Sequence, residues 1–545
     1  MFKIFTKCSL VALALILALS ICACAATRNS LMYKGDSGHT GSSTEQLTYP
    51  LKLAWKAITE VSPDNPSSPA VSDGVVYLAS GDHMYAVDAA TGTIKWRYPA
   101  DTNLSANVKT SPAVGDDLVY YGCSDGILYA ITKDKGSLAW SFATKASIVS
   151  SPTIVDGILY FGSGDNHLYA LDARTGKPIW HGGFKVRDEV TTSPAIDNGS
   201  IYFLSNDAFM YSIYTGSGAI KWSVRVGVIP MHISPVVGDG MVFLPADGRM
   251  RAYQTQSGVS TWSMKLPGDV TTVPAYSNGT LYFACNDNKL YALDVHGGWK
   301  WKTPIDLHAP VHGSPIVMGK TLIIGANKGA LVAIDTETGK IKWNYTILPS
   351  ETQQGKLDYA NVACAPVAVN GALYVLSDDG TLSAFRSDFP DNTPPQILNV
   401  WPTLGSVING NPPVQIIAKV SEPGSGIDAA SIKMYLDSAA VDFKTVDEQC
   451  LIWYKTPRLD PIVPLSDGSH QVRLVVSDWA GNKTDYTWGF MVDNTVRTTP
   501  QPTTPTQPAP GMPGPGGMPG GMPGMPGMPG PGMPGMPRIP GGFGR

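Results

Sequence analysis

Lys109, His232 and His312 are the side chains in this sequence best placed to do chemistry. Each stands three residues before a proline (Pro112, Pro235 and Pro315) in a segment that recurs along the chain, at a position filled in most other copies by valine, threonine or alanine. An ammonium and two imidazoles brought to one cavity would suit an anionic ligand, and the two histidines alone would suit a metal ion. The competing reading makes them polar residues at a solvated opening. Other chemical signatures are absent. Asp125, Asp165, Asp287 and Asp379 recur in turns without the D-x-D-x-D-G spacing of a calcium loop, and the sequence contains no G-x-S-x-G, H-E-x-x-H or Walker motif. Cys123, Cys285, Cys364 and Cys450 lie far apart, with no Cys/His spacing for zinc, and read as buried free thiols. The motifs therefore point to no catalytic residue, no metal ligand and no cofactor.

The elements that must position these residues come from a repeat. Its clearest copy runs from Ser151-Pro152 through Asp156-Gly157, Tyr160-Phe161-Gly162, Leu168-Tyr169-Ala170-Leu171-Asp172 and Thr175-Gly176 to Trp180. The repeat prolines are Pro69, Pro112, Pro152, Pro194, Pro235, Pro274, Pro315 and Pro366, and the first seven are 39 to 43 residues apart. The tryptophans are Trp55, Trp96, Trp140, Trp180, Trp222, Trp262, Trp301 and Trp343. Short alternating runs separated by Asp-Gly, Asn-Gly and Thr-Gly turns predict a four-stranded antiparallel meander per unit, with the tryptophan on its last strand. The tryptophan series starts before the first proline and ends before the last. The final unit thus lacks a fourth strand, and Leu51–Lys56 is expected to supply it, closing a ring and hiding its edges.

The Ala-x-Asp and Thr-Gly elements ten residues ahead of tryptophan (Ala86 to Trp96, Ala170 to Trp180, Ala333 to Trp343) resemble the tryptophan-docking motif of the PQQ-like β-propeller repeats, in which the indole packs between neighbouring blades. Met32 to Ser42 looks like the segment that introduces such propellers. The resemblance covers residues 30–390 and implies an all-β, eight-bladed propeller. Quinoprotein dehydrogenases of this type bind pyrroloquinoline quinone and calcium at the propeller axis beside an adjacent pair of cysteines. This sequence has no such pair, and its compact repeats are closer to BamB-like scaffold lipoproteins of outer-membrane protein assembly.

Around Asp388 to Pro395 the repeat gives way to a proline-rich linker, and new alternating runs follow over 394–494. Gly424 to Asp428, Leu465 to His470 and Ser477 to Asn482 resemble bacterial Ig-like domains, so a β-sandwich is expected. Residues 495–545 are Thr/Pro/Gln and then Gly/Met/Pro triplets, a composition that builds no core and reads as a disordered tail. A three-residue period sets Met522, Met525 and Met528 on one side of a polyproline helix, thioethers that would suit Cu(I), although a linker or surface contact is the simpler use.

A basic start (Lys3, Lys7) and an apolar run from Leu10 to Leu19 make residues 1–25 a signal peptide. Two processing readings stay open: a lipobox ending at Cys24, or simple cleavage after Ala23-Cys24-Ala25. With charged residues at 15% and a net charge of -4 the chain has no basic field for nucleic acid, and a lipid on Cys24 would be its one membrane attachment. The function read here is a non-catalytic cell-envelope protein that binds other envelope proteins. A quinoprotein dehydrogenase and a polysaccharide-binding surface protein are the alternatives. Mass spectrometry of the mature chain is expected to find diacylglyceryl-Cys24 at the N-terminus; an unmodified Ala26 there rejects the lipid anchor.

Overall fold

The alternating runs fold as strands because the turns between them demand it. In the repeat that holds Pro152, Asp156 and Gly157 both take positive φ (50° and 73°), the two-residue hairpin geometry that Asp-Gly favours, and Thr153–Val155 pairs with Ile158–Ser163 across it. The computed structural model describes residues 29–60, 67–230, 233–348, 360–446, 451–458 and 461–497. Cys24, His232, Cys450 and the Gly/Met/Pro tail lie outside them. All described residues belong to the first of two compact units, Met1–Gln501 and Pro502–Arg545. Among them, helix is limited to the 3-10 turns Asn327–Gly329 and Ala429–Ser431.

The chain is all-β, and its sheets between Ser42 and Arg386 build a β-propeller. Eight sheets succeed one another there, each a four-stranded meander, one of them extended by Ser42–Ser43. The expected closure is present: Lys52–Ile58 pairs antiparallel with Thr381–Arg386, from Lys52 opposite Arg386 to Ile58 opposite Thr381. A hydrophobic core lies between each sheet and the next. One joins Val71, Val76 and Leu78 of the first sheet to Tyr374, Leu376 and Leu382 of the last, so the circle of cores also closes.

Six of the eight tryptophans sit on the fourth strand of their sheet, and two do not. At Trp180, Pro178 removes a ladder donor, and the fourth strand resumes only at Phe184–Lys185. Near Trp301, the Gly297-Gly298 pair leaves a single bridge at Trp299 before Ile305–Asp306. The docking hydrogen bond persists at Trp301 but not at Trp180. Indole Nε1 donates to a backbone carbonyl of the next sheet in Trp55→Ala89 (3.2 Å), Trp96→Lys133 (2.9 Å), Trp140→Ala173 (3.2 Å), Trp222→Thr255 (3.0 Å), Trp262→Val295 (2.6 Å) and Trp301→Thr336 (3.1 Å). Trp180 Nε1 is buried without a partner. The turn glycine fits under the ring: a Cβ on Gly92 would meet Trp55 at 2.6 Å.

Trp343 breaks the series in an informative way. The last sheet ends at Arg386 without a Thr-Gly turn, and the Trp343 Nε1 donates instead to Ser425 O at 2.9 Å. Tyr345 OH donates to Pro423 O (2.8 Å), Trp479 Nε1 to Asn344 Oδ1 (3.0 Å), and Leu53 N to Gly424 O (2.9 Å). Residues 423–426 thus fill the slot that a turn of the next sheet fills elsewhere. They form a loop that follows the strand Gln415–Ser421 of two further sheets over Gln396–Val492, one of four strands and one of five, packed around Val414, Ile416, Ala418, Ile452, Leu474 and Trp488.

Residues 30–43 cross the inner strands. Backbone N–H groups two residues after the repeat proline, on Val71, Val114, Ile196, Val237, Tyr276 and Val317, donate to carbonyls of Ser30, Leu31, Ser37, Gly38, Thr40 and Gly41 at 2.6–2.9 Å. Inside this segment Thr40 N donates to Asp36 Oδ1 (2.9 Å), and Lys34 Nζ donates to Pro315 O (2.6 Å). Lys34 and His39 are both buried.

Trp343→Ala is expected to lower unfolding free energy by about 3–5 kcal/mol, because it empties a wholly buried site. The half-buried Trp262→Ala should cost clearly less; equal denaturation midpoints for the two variants would contradict the docking account. Burial, and then the Lys34 charge, hold the His39 imidazole down at about 3 against an ordinary 6.5. Between these values the unfolded chain binds a proton that the folded chain refuses, so stability falls as pH drops from 6.5 toward 3. His39→Gln should lose less stability between pH 7 and pH 4 than the parent; an unchanged loss shows that His39 does not carry it.

Candidate functional site

The residues immediately before the repeat prolines meet at the axis. Their extended backbone, enforced by the following proline, points one N–H sideways at the next sheet. Ser68 N donates to Ser111 Oγ (3.0 Å), Ser111 N to Ser151 Oγ (2.9 Å), Ser151 N to Ser193 Oγ (2.9 Å) and Ser193 N to Ser234 Oγ (2.9 Å). Val273 N donates to Ser314 Oγ and Ala365 N to Ser68 Oγ, both at 3.0 Å, which returns the chain of bonds to its start. The circle is interrupted only where Val273 and Ala365 lack a hydroxyl to accept. This seryl circle was present in the sequence as S-P pairs, which had been legible only as strand starts.

Inside the circle lies a cavity of about 230 Å³. Its walls are mainly the residues one and three before the prolines, among them Ser68, Ser111, Thr191, Thr271, Lys109 and His312, joined by Ser67, Ile233 and Cys364 two before. Tyr33 of the crossing segment also lines it, its phenol pushed up to about 12 by burial. The segment is bonded two residues after the prolines, and Lys109 and His312 stand three residues before them. It therefore closes the end of the cavity opposite to them. Lys109 and His312 line the cavity but are exposed, and His232, the third sequence candidate, lies outside the described residues.

This donor set can hydrogen-bond a small polar or anionic guest. It does not suit the quinone and calcium that the quinoprotein resemblance implies. Calcium needs several carboxylate, carbonyl or amide oxygens, whereas among the described residues no Asp, Glu, Asn or Gln side chain lines the cavity and six of the lining hydroxyls already accept from the neighbouring sheet. Cys123, Cys285 and Cys364 are buried free thiols, as expected, and burial pushes each up to about 12, away from reactivity.

Two clusters of potential ligands lie elsewhere among the described residues, and the sequence patterns pointed to neither. Glu60, Asp82 and His83 converge at one rim, where the buried His83 faces Glu60 Oε2 (2.9 Å) and Asp82 Oδ1 (2.7 Å) through Nδ1 and Thr102 O (3.0 Å) through Nε2. Both nitrogens are thereby engaged. Asp391, Glu422 and Asp478 converge beside the Trp343 joint, and burial, followed by the charges of Asp391 and Asp478, raises the Glu422 carboxyl to about 7.

The chain spans only a part of the curated relatives it matches. It is 29% identical over 150 residues to the outer membrane protein assembly factor BamB of Escherichia coli (strain K12), covering 27% of this chain and 35% of BamB. It is 30% identical over 145 residues to the dehydrogenase subunit of the quinone alcohol dehydrogenase of Gluconacetobacter polyoxogenes, covering 22% of this chain and 20% of that subunit. The quinohemoprotein alcohol dehydrogenase of Comamonas testosteroni shares the fold at a TM-score of 0.53 and 16% identity, over 70% of this chain and 84% of that one. No helix among the described residues is long and apolar enough to cross a membrane. The family model described as the beta-propeller of the beta-alanine-activating enzyme matches residues 66–387, more than half of the sequence, and the chain belongs to that β-propeller family.

Proposed function

We propose that the chain is an exported, non-catalytic scaffold of the cell envelope that holds partner proteins on an eight-bladed propeller. In this reading residues 1–25 are a leader, 30–390 the propeller and 394–494 an Ig-like β-sandwich clamped to it. The partners are envelope proteins, including those of outer-membrane protein assembly, and attachment to a membrane is through lipid on Cys24. The observation that carries the reading is the axial cavity. Its walls carry hydroxyls bonded around the ring, and no carboxylate among the described residues lines it to hold calcium beside a quinone. A propeller whose axis serves closure presents its loops for binding, and loops change partner without disturbing the repeat.

A quinone-dependent dehydrogenase is the competing function, supported by the stretch of sequence shared with such enzymes. Titrating the purified chain with pyrroloquinoline quinone in the presence of calcium separates the two. The scaffold reading expects no saturable change in quinone absorbance and no alcohol-dependent dye reduction, together with recovery of β-barrel assembly proteins by cross-linked pull-down from envelope extract. Saturable quinone binding with dye reduction overturns it.

A further inference from the structure

The four-stranded sheet built from Gln396–Trp401, Gln415–Ser421, Leu451–Lys455 and Lys444–Val446, in that spatial order, has one face in the core and one outside it. Val400, Ala418 and Ile452 pack inward. Alternation turns their neighbours outward, where a row runs across all four strands: Trp401 opposite Ile417, Ile417 opposite Trp453, and Trp453 opposite Lys444. The three apolar members of this row are half-buried and stand outside the hydrophobic core cluster of these two sheets.

The charge on this face has one sign. Lys444 and Lys455 hold their ammonium groups 5.8 and 5.2 Å from the centre of the Trp453 ring. Lys419, two residues along from Ile417, stands exposed on the same face. Every charged residue at the paired positions of the face is a lysine, although the chain as a whole carries a net charge of -4.

We propose that this face binds an anionic polysaccharide. Trp401 and Trp453 lie two strands apart, roughly 10 Å, on one face of the sheet. That spacing suits two sugar rings of one extended glycan, each laying its C–H face on the electron-rich face of an indole. Carboxylate or sulfate groups of the glycan are held by Lys419, Lys444 and Lys455. An acidic peptide would satisfy the lysines without using two separated rings. The site is distinct from the axial cavity and does not rest on the scaffold reading of the propeller.

Fluorescence titration of the full chain with polygalacturonate (carboxylate) and dextran sulfate (sulfate) tests this, against a neutral dextran and poly-glutamate. At least one anionic glycan is expected to bind, weakening as salt rises, while neutral dextran and poly-glutamate bind at least about tenfold more weakly. Trp453→Ala, Trp401→Ala and the double variant Lys444→Gln/Lys455→Gln should each weaken glycan binding by about tenfold, with Trp453→Phe retaining most of it. Unchanged melting curves for the lysine variant, which keeps most of each side chain's length and removes its charge, keep the test independent of folding. The proposal is overturned if neither anionic glycan binds, if poly-glutamate or neutral dextran binds as tightly, or if the tryptophan and lysine variants bind like the parent.

Discussion

A ring of sheets has no open edge only if its two ends find each other, and this requirement shapes the rest of the molecule. The last sheet holds three strands of its own, and Lys52–Ile58, more than three hundred residues upstream of them, completes it. Each hydrogen bond in that strand contributes modestly, about 0.5–1.5 kcal/mol. The larger consequence is that the core between the first and last sheets is complete only when the strand is in place, because Ala57 belongs to it and Trp55 packs against it. Two further circles reinforce the closure: the seryl bonds at the axis and the crossing segment 30–43, which reaches six sheets by their backbone. The axial cavity is what remains between these two circles, which explains why it is polar, small and closed at one end.

The tryptophan series shows how a repeated contact can recruit something outside the repeat. Each indole packs on a close turn from the neighbour that follows, and all but that of Trp180 also donate to a carbonyl. The seventh sheet has no such turn to face, and a loop from the later sheets, Pro423 to Gly426, supplies it. The two later sheets are thus fixed to the propeller by the interaction that fixes one propeller sheet to the next. Carboxylates of Asp391, Glu422 and Asp478 crowd the same joint, and the raised Glu422 carboxyl is the electrostatic consequence.

Much of this was legible in the sequence for a physical reason: the ring is built from short-range signals repeated many times. Asp-Gly turns, S-P strand starts and the phase difference between prolines and tryptophans specify strands, sheets and the closing strand without reference to long-range contacts. What escaped is what depends on backbone or on context. The crossing segment donates carbonyls, which every residue possesses, so nothing in Leu31 or Gly38 marks its role. The placement of Trp180 and Trp301 off the fourth strand follows from Pro178 and from Gly297-Gly298, local exceptions inside a regular pattern. The Ser425 acceptor lay in a phrase read only as Ig-like. Lys109 and His312 do line one cavity, but the sequence could not reveal that the hydroxyls around them are already engaged.

The central claim is that the crossing segment and the inner strands form one closed unit, and hydrogen–deuterium exchange read by mass spectrometry tests it directly. Peptides carrying the amides of Val71, Val114, Ile196, Val237, Tyr276 and Val317, which donate to residues 30–41, should exchange together and at the slow rate of the sheet cores. Fast or mutually independent exchange at these amides, with the cores still protected, would contradict a ring locked by its own N-terminal segment.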